Sequence, residues 1–139
     1  MTNSVYPKWK EAVEQHLGGS ALNGSGSTGV FAVLVNTSVY TFSEAHQFYS
    51  DLLGVAPVDA QELIGKTFLN GIFDAQDTLW PSVQGGPTYS AVVFFIKNAG
   101  VSTTWRLFAF IDQYVTGLPF VADGSDIEIT WNATGIVLP

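Results

Sequence analysis

Ser90-Ala-Val-Val-Phe-Phe-Ile96 and Trp105-Arg-Leu-Phe-Ala-Phe-Ile111 are two apolar runs joined by the polar connector Lys97-Asn-Ala-Gly-Val-Ser-Thr-Thr104. Each run is short and rich in aromatic and β-branched residues, which favours strand over helix, and the connector supplies Asn and Gly for a reversal. The pair reads as a β-hairpin at the centre of a sheet. Arg106, the charge inside the second run, must face solvent or meet an acid. Val30-Phe-Ala-Val-Leu-Val35 is a third continuous apolar run of strand length. It reads as a strand buried on both faces, next to the hairpin.

Outward from this centre the chain supplies shorter pieces. Glu62-Leu-Ile64, Lys66 to Phe73 and Thr78-Leu-Trp80 follow one another between turn residues, at the spacing of a β-sandwich or a partly closed barrel. A Gly-Leu-Pro turn at Gly117 precedes the alternating strand Asp126-Ile-Glu-Ile-Thr-Trp131, and Gly135-Ile-Val-Leu138 reads as a closing edge strand. Two short peripheral helices are expected. The first spans Tyr6 to Leu17 within residues 1–19, with Pro7 in its first turn and Gly18-Gly19 at its end. Its apolar stripe is Tyr6, Trp9, Val13 and Leu17, which must dock on the chain's own sheet or on a neighbouring subunit. The second lies near 43–53, with Ser43 as N-cap, Ala45, Phe48, Tyr49 and Leu52 as its apolar face, and Gly54 as its stop. Between the first helix and the Val30 strand, residues 20–29 form a Gly/Ser bridge that composition marks as a flexible loop. The expected architecture is one mainly β, antiparallel α+β domain over residues 1–139, with a β-rich core from 30 onward.

Composition narrows the function. The 139 residues are 47% hydrophobic and 14% aromatic but only 12% charged, so surface not covered by ions is either small and polar or buried against another protein. The net charge of −7 with five scattered cations excludes a basic face for nucleic acid. Absence of cysteine removes disulfides, thiolate chemistry and Cys-based zinc sites. No run reaches the roughly 18 apolar residues of a spanning helix. The first twenty residues carry Lys, Glu and His in place of an export signal's apolar block, so neither a membrane partner nor an export signal is expected.

Chemistry-bearing motifs are sparse. His16 and His46 each fall in an expected helix, without a partner base or ligand in the pattern. Gly24-Ser-Gly-Ser-Thr-Gly29 precedes a strand and lacks the Lys of a phosphate loop. Asp74 with Asp77, and Asp123 with Asp126, are oxygen-rich turns in which calcium is the alternative to simple turn formation. Trp80, Trp105 and Trp131 lie in or beside strands, where a sugar platform is the alternative to core packing. No catalytic residue, cofactor or metal is expected.

The order of segments resembles a family of small virion structural proteins of tailed bacteriophages. The likeness is carried by Tyr6-Pro-Lys-Trp-Lys-Glu-Ala12, Tyr40-Thr-Phe-Ser-Glu-Ala-His46, Gly71-Ile-Phe-Asp-Ala-Gln-Asp77, the stretch from Ile111 to Pro119, and Asp123-Gly-Ser-Asp-Ile-Glu-Ile-Thr-Trp131. It covers nearly the whole chain. The chain departs from the family pattern at Lys97-Asn-Ala-Gly100, where that pattern has Lys-Asp-Thr-Gly. It departs again at its end, Gly135 to Pro139, where the family has a basic, aromatic C-terminus. The resemblance implies a non-enzymatic virion protein, decorating or cementing the capsid through many copies. Its partners would be a major capsid protein or tail proteins, and copies of itself. A tail or head-to-tail component is the alternative within the same particle, and a carbohydrate- or surface-binding β-sandwich the alternative from another class. The expected partner surface is Tyr6, Trp9, Val13 and Leu17.

Overall fold

The computed structural model describes residues 3–55, 60–70, 72–84, 86–113, 115–132 and 135–136. In chain order the elements are β1 (Ser4–Val5), α1 (Pro7–Glu14), β2 (Val30–Val35), β3 (Gln61–Glu62), β4 (Thr67–Leu69), β5 (Ile72–Asp74), β6 (Thr78–Trp80), β7 (Thr88–Tyr89), β8 (Ala91–Ile96), β9 (Arg106–Ile111), β10 (Phe120–Val121) and β11 (Ile127–Ile129). Short 3-10 helices occupy Gly26–Thr28, Tyr49–Val55 and Ser102–Thr104.

A five-stranded antiparallel sheet in the order β1-β9-β8-β2-β3 forms the centre. The expected hairpin is β8 and β9, and the Val30 run is β2 beside them. All six residues of β8 are buried, which is why its sequence is continuous rather than alternating. Both faces of the sheet are covered. Val30, Ala32, Leu34, Val92, Phe94 and Ile96 point to one side and meet Trp80, Tyr89, Ile129 and Trp131. These come from the small ribbons β6–β11 and β7–β10 and from the residues beside them. Val33, Val35, Val93, Phe95, Leu107 and Phe110 point to the other side and meet Tyr6, Tyr40 and Leu52. The fold is therefore mainly β, antiparallel and sandwich-like. It is not a barrel, because β1 and β3 end the sheet without pairing to each other.

A β-bulge marks the hairpin. Phe94 is opposite Ala109 and Phe95 is opposite Leu107, so Phe108 is the extra residue of β9. Its ring meets Trp9 of α1 edge-on at 4.6 Å, and its carbonyl accepts from the Tyr6 amide at 2.9 Å. Together with the β1–β9 pairing, this fixes α1 to the chain's own sheet. The buried residues at its base are Tyr6, at 0% exposure, and Ala12. Val13 and Leu17 do not dock there and stay 45% and 43% exposed. The helix ends at Glu14 and His16 takes a left-handed backbone, so Leu17 no longer follows the stripe.

The expected second helix near 43–53 is not an α-helix. Among the described residues α1 is the only α-helix, and this segment is a turn at Glu44–Ala45 followed by the 3-10 helix Tyr49–Val55. Its backbone bonds go to β9 instead: Leu107 N–H donates to Gln47 O and Tyr49 N–H donates to Trp105 O. Phe48 bridges Arg106, and tertiary pairing has overridden helical periodicity. Gly54 lies inside the 3-10 helix rather than ending a helix. At the chain's end Gly135 and Ile136 are not in a strand, and the rest of the expected closing strand lies outside the described residues.

The Gly/Ser bridge is tied down at several points. Lys66 Nζ donates to Gly24 O, and Gly26 N–H donates to the Glu62 carboxylate at 2.8 Å. Burial holds the Lys66 ammonium below its ordinary pKa range, and nearby Glu62 opposes that shift. Among the described residues Arg106 pairs with no acid, and it is only partly exposed. Its Nε donates to Gly18 O at 3.0 Å and its guanidinium lies 5.5 Å from the centre of the Phe48 ring. Replacing Arg106 with Ala is expected to cost about 1 kcal/mol of unfolding free energy, since one charged donor and one partly exposed cation–π contact are lost. Urea unfolding checks this.

Candidate functional site: an apolar groove beside the first helix

The C-terminal end of α1, the bridge after it and the β4–β5 hairpin enclose an open groove of ≈ 770 Å³. Its apolar walls are Trp9, Val13, Leu17, Leu22 and Phe68. Trp9 donates its indole N–H to Ser20 O at 2.8 Å, and Ser20 Oγ donates to Leu17 O at 2.7 Å. The polar groups at the groove's floor are thus satisfied internally, leaving ring and aliphatic surface for contact. Apart from His16, no ionisable side chain lines it. The pair Lys8–Glu11, 3.2 Å apart, occupies the first turns of α1.

Of the four residues expected to form a partner surface, three line this groove and one does not. Trp9, Val13 and Leu17 are on it. Tyr6 is fully buried under the sheet and cannot reach a partner, because the same aromatic stripe that signals docking is used by the domain itself. Phe68 completes the groove from a distant part of the sequence. The clue to it was the exposed apolar run Phe68-Leu69, which alternation alone left unassigned to any face.

A buried polar chain runs through the opposite side of the sheet. Tyr6 and Tyr40 hydroxyls are 2.5 Å apart, and Tyr40 Oη lies 2.8 Å from His46 Nδ1. Burial pushes the Tyr40 phenol up to about 12, with Asp51 adding to the rise and the Tyr6 bond opposing it. Burial, then the neighbouring Tyr40, drives Tyr6 further in the same direction. Asp51 is itself engaged, accepting from the Gln47 and Phe48 amides at 2.8 and 3.0 Å. With Tyr6 at 0% and Tyr40 at 3% exposure the chain is closed to a substrate, and it ties β1, the Tyr40 loop and His46 together. The sequence placed His46 in a helix and so missed this bond.

Asp74 Oδ1 accepts from Ala75 N–H and Asp123 Oδ1 from Ser125 N–H, the local backbone bonding that turns require, whereas Asp126 Oδ1 accepts from Ser82 N–H, a long-range bond that ties the start of β11 to the residues after β6. The bonds from Ser125 hold the Asp123 carboxyl below its ordinary range. Among the described residues no cluster of three His, Cys, Asp or Glu side chains is placed to hold a metal. Trp80 and Trp131 are core residues on one side of the sheet. Trp105 packs on the other side, its indole N–H donating to Gly100 O at 3.1 Å. Trp80 and Trp131, at 1% and 5% exposure, offer no open ring face, and Trp105 lies across the sheet from them, so the three do not form one platform. Lys97 sits 4.4 Å from the centre of the Phe31 ring and 5.1 Å from that of Trp105, closing the end of that aromatic strip. Compared with protein-family models, with curated proteins and with solved structures, the chain matches none.

Proposed function

We propose that this chain is a non-enzymatic structural protein of a tailed-bacteriophage virion, working in many copies by protein–protein contact. The observation that carries the reading is the groove face: Val13, Leu17 and Phe68 are 45%, 43% and 51% exposed around one mainly apolar groove. A free monomer gains nothing from such a surface, whereas a component held in a lattice buries it and multiplies a weak contact by avidity. Decoration or cementing of the capsid is the placement favoured by the resemblance described above. Partners are then the capsid protein and further copies.

Val13→Glu combined with Leu17→Glu is the direct test. Both positions are half exposed, so stability should change by no more than about 0.5 kcal/mol per site. Incorporation into particles should be lost. Deleting the whole N-terminal segment is the wrong experiment, because it removes β1 and Tyr6 from the core. Wild-type density on capsomers supports the head placement, and density confined to the tail rejects it.

A further inference from the structure

Gly18-Gly-Ser-Ala-Leu-Asn-Gly-Ser-Gly-Ser-Thr-Gly29 leads from α1 to β2 with one large apolar side chain, Leu22, which packs half-buried against the core. So little apolar burial does not offset the ordering of a glycine-rich segment. Side chains from elsewhere hold it instead. Arg106 Nε donates to Gly18 O at 3.0 Å, and the Trp9 indole N–H donates to Ser20 O at 2.8 Å. Farther along, Lys66 Nζ donates to Gly24 O, and the Glu62 carboxylate accepts from Gly26 N–H at 2.8 Å. The burial that holds the Lys66 ammonium below its ordinary pKa range works against this closure, and the charge of Glu62 opposes that shift. From Gly29, whose carbonyl accepts from the Lys97 amide at 3.0 Å, the chain is part of the sheet.

The same segment is a wall shared by two clefts. One is the groove of ≈ 770 Å³ beside Trp9 and Phe68, and the other is a cleft of ≈ 300 Å³ lined also by Ile96, Lys97 and Asn98. Gly19, Ala21 and Asn23 line both. Ile96, the last residue of β8, is only 2% exposed in the smaller cleft. We infer that residues 18–29 form a strap, latched by Glu62 and Lys66, that opens as one local unit apart from global unfolding, joins the two clefts and uncovers Ile96. The strap gates that end of the groove irrespective of what docks there.

The chain has no cysteine, so Ile96→Cys supplies a single thiol beneath the strap, and Val92→Cys a single thiol buried in the same strand at 0% exposure. Labelling of the native full chain with an aromatic disulfide reagent should modify Ile96→Cys at least about a hundredfold faster than Val92→Cys. The rate at Ile96→Cys should be nearly independent of urea at low concentration, whereas Val92→Cys, reached only through global unfolding, should react faster as urea rises. Glu62→Ala removes the acceptor of the Gly26 N–H and should speed labelling of Ile96→Cys about tenfold. In the chain without an added cysteine, the same substitution should speed hydrogen exchange of the Trp9 indole N–H, bonded to Ser20 near the other end of the strap, about tenfold. Equal labelling of the two thiols with the same urea dependence, or labelling of Ile96→Cys indifferent to Glu62→Ala, overturns the proposal. Circular dichroism checks the folding of each variant. Should Ile96→Cys fail to fold, Trp9 indole exchange decides: faster exchange in Glu62→Ala supports the strap, and unchanged exchange overturns it.

Discussion

Truncating Phe94 to alanine is expected to remove about 3–5 kcal/mol of unfolding free energy. Phe94 is fully buried in β8, opposite Ala32 of β2 and Ala109 of β9. With alanine on both flanking strands, its ring fills the volume between the sheet and the covering ribbons. It contacts Trp131 at a centroid distance of 5.1 Å and Phe108 at 6.4 Å. Neither alanine can expand into the space a truncation leaves, so the cavity persists and its cost adds to the lost transfer energy. That loss is a large part of the roughly 5–15 kcal/mol that holds a domain folded. Val121→Ala, at a site 59% exposed, is the control and should change stability by less than about 0.5 kcal/mol. Denaturant unfolding of the two variants gives the comparison. A loss at Phe94 below about 1.5 kcal/mol would mean that the two layers close over the gap, and the sandwich-like packing described here would be wrong.

Tyr40→Phe is expected to cost about 1–3 kcal/mol, because it leaves the buried Tyr6 hydroxyl and His46 Nδ1 without the partner they share. The same network sets the alkaline limit of the fold. An unfolded tyrosine ionises near pH 10, whereas burial holds Tyr40 neutral up to about 12 and Tyr6 beyond it. Above pH 10 the folded chain therefore binds more protons than the unfolded one. The stability these hydroxyls contribute is fully present below pH 10 and is lost as pH rises from 10 through 12. Unfolding curves collected between pH 9 and pH 12 should fall steeply for the wild type and less steeply for Tyr40→Phe. Parallel curves would show that Tyr40 is not buried as described.

The centre of the fold was legible because β2, β8 and β9 are continuous aromatic and β-branched runs, a pattern only strands covered on both faces require. The small ribbons were legible at β6, where Thr78 and Trp80 are buried and Leu79 is exposed. The segment after Tyr40 was not. Ala45, Phe48, Tyr49 and Leu52 satisfy helical spacing, yet the backbone at Gln47 and Tyr49 finds partners on the edge of β9, a contact between positions distant in sequence. Ser43 bonds locally to Ala45 N–H at 3.1 Å, forming a turn where an N-cap was expected. The groove was half legible. Trp9, Val13 and Leu17 announce an apolar surface, but Tyr6 shares their spacing and lies in the core. Phe68 comes from a hairpin whose approach to α1 no local pattern encodes.

The most direct test of the central claim is a cryo-electron microscopy map of the assembled particle that resolves this chain. The face carrying Val13, Leu17 and Phe68 should be buried against neighbouring protein, with the sheet and its Tyr6–Tyr40–His46 chain unchanged. A map in which the chain is assembled while that face stands open to solvent would contradict the account.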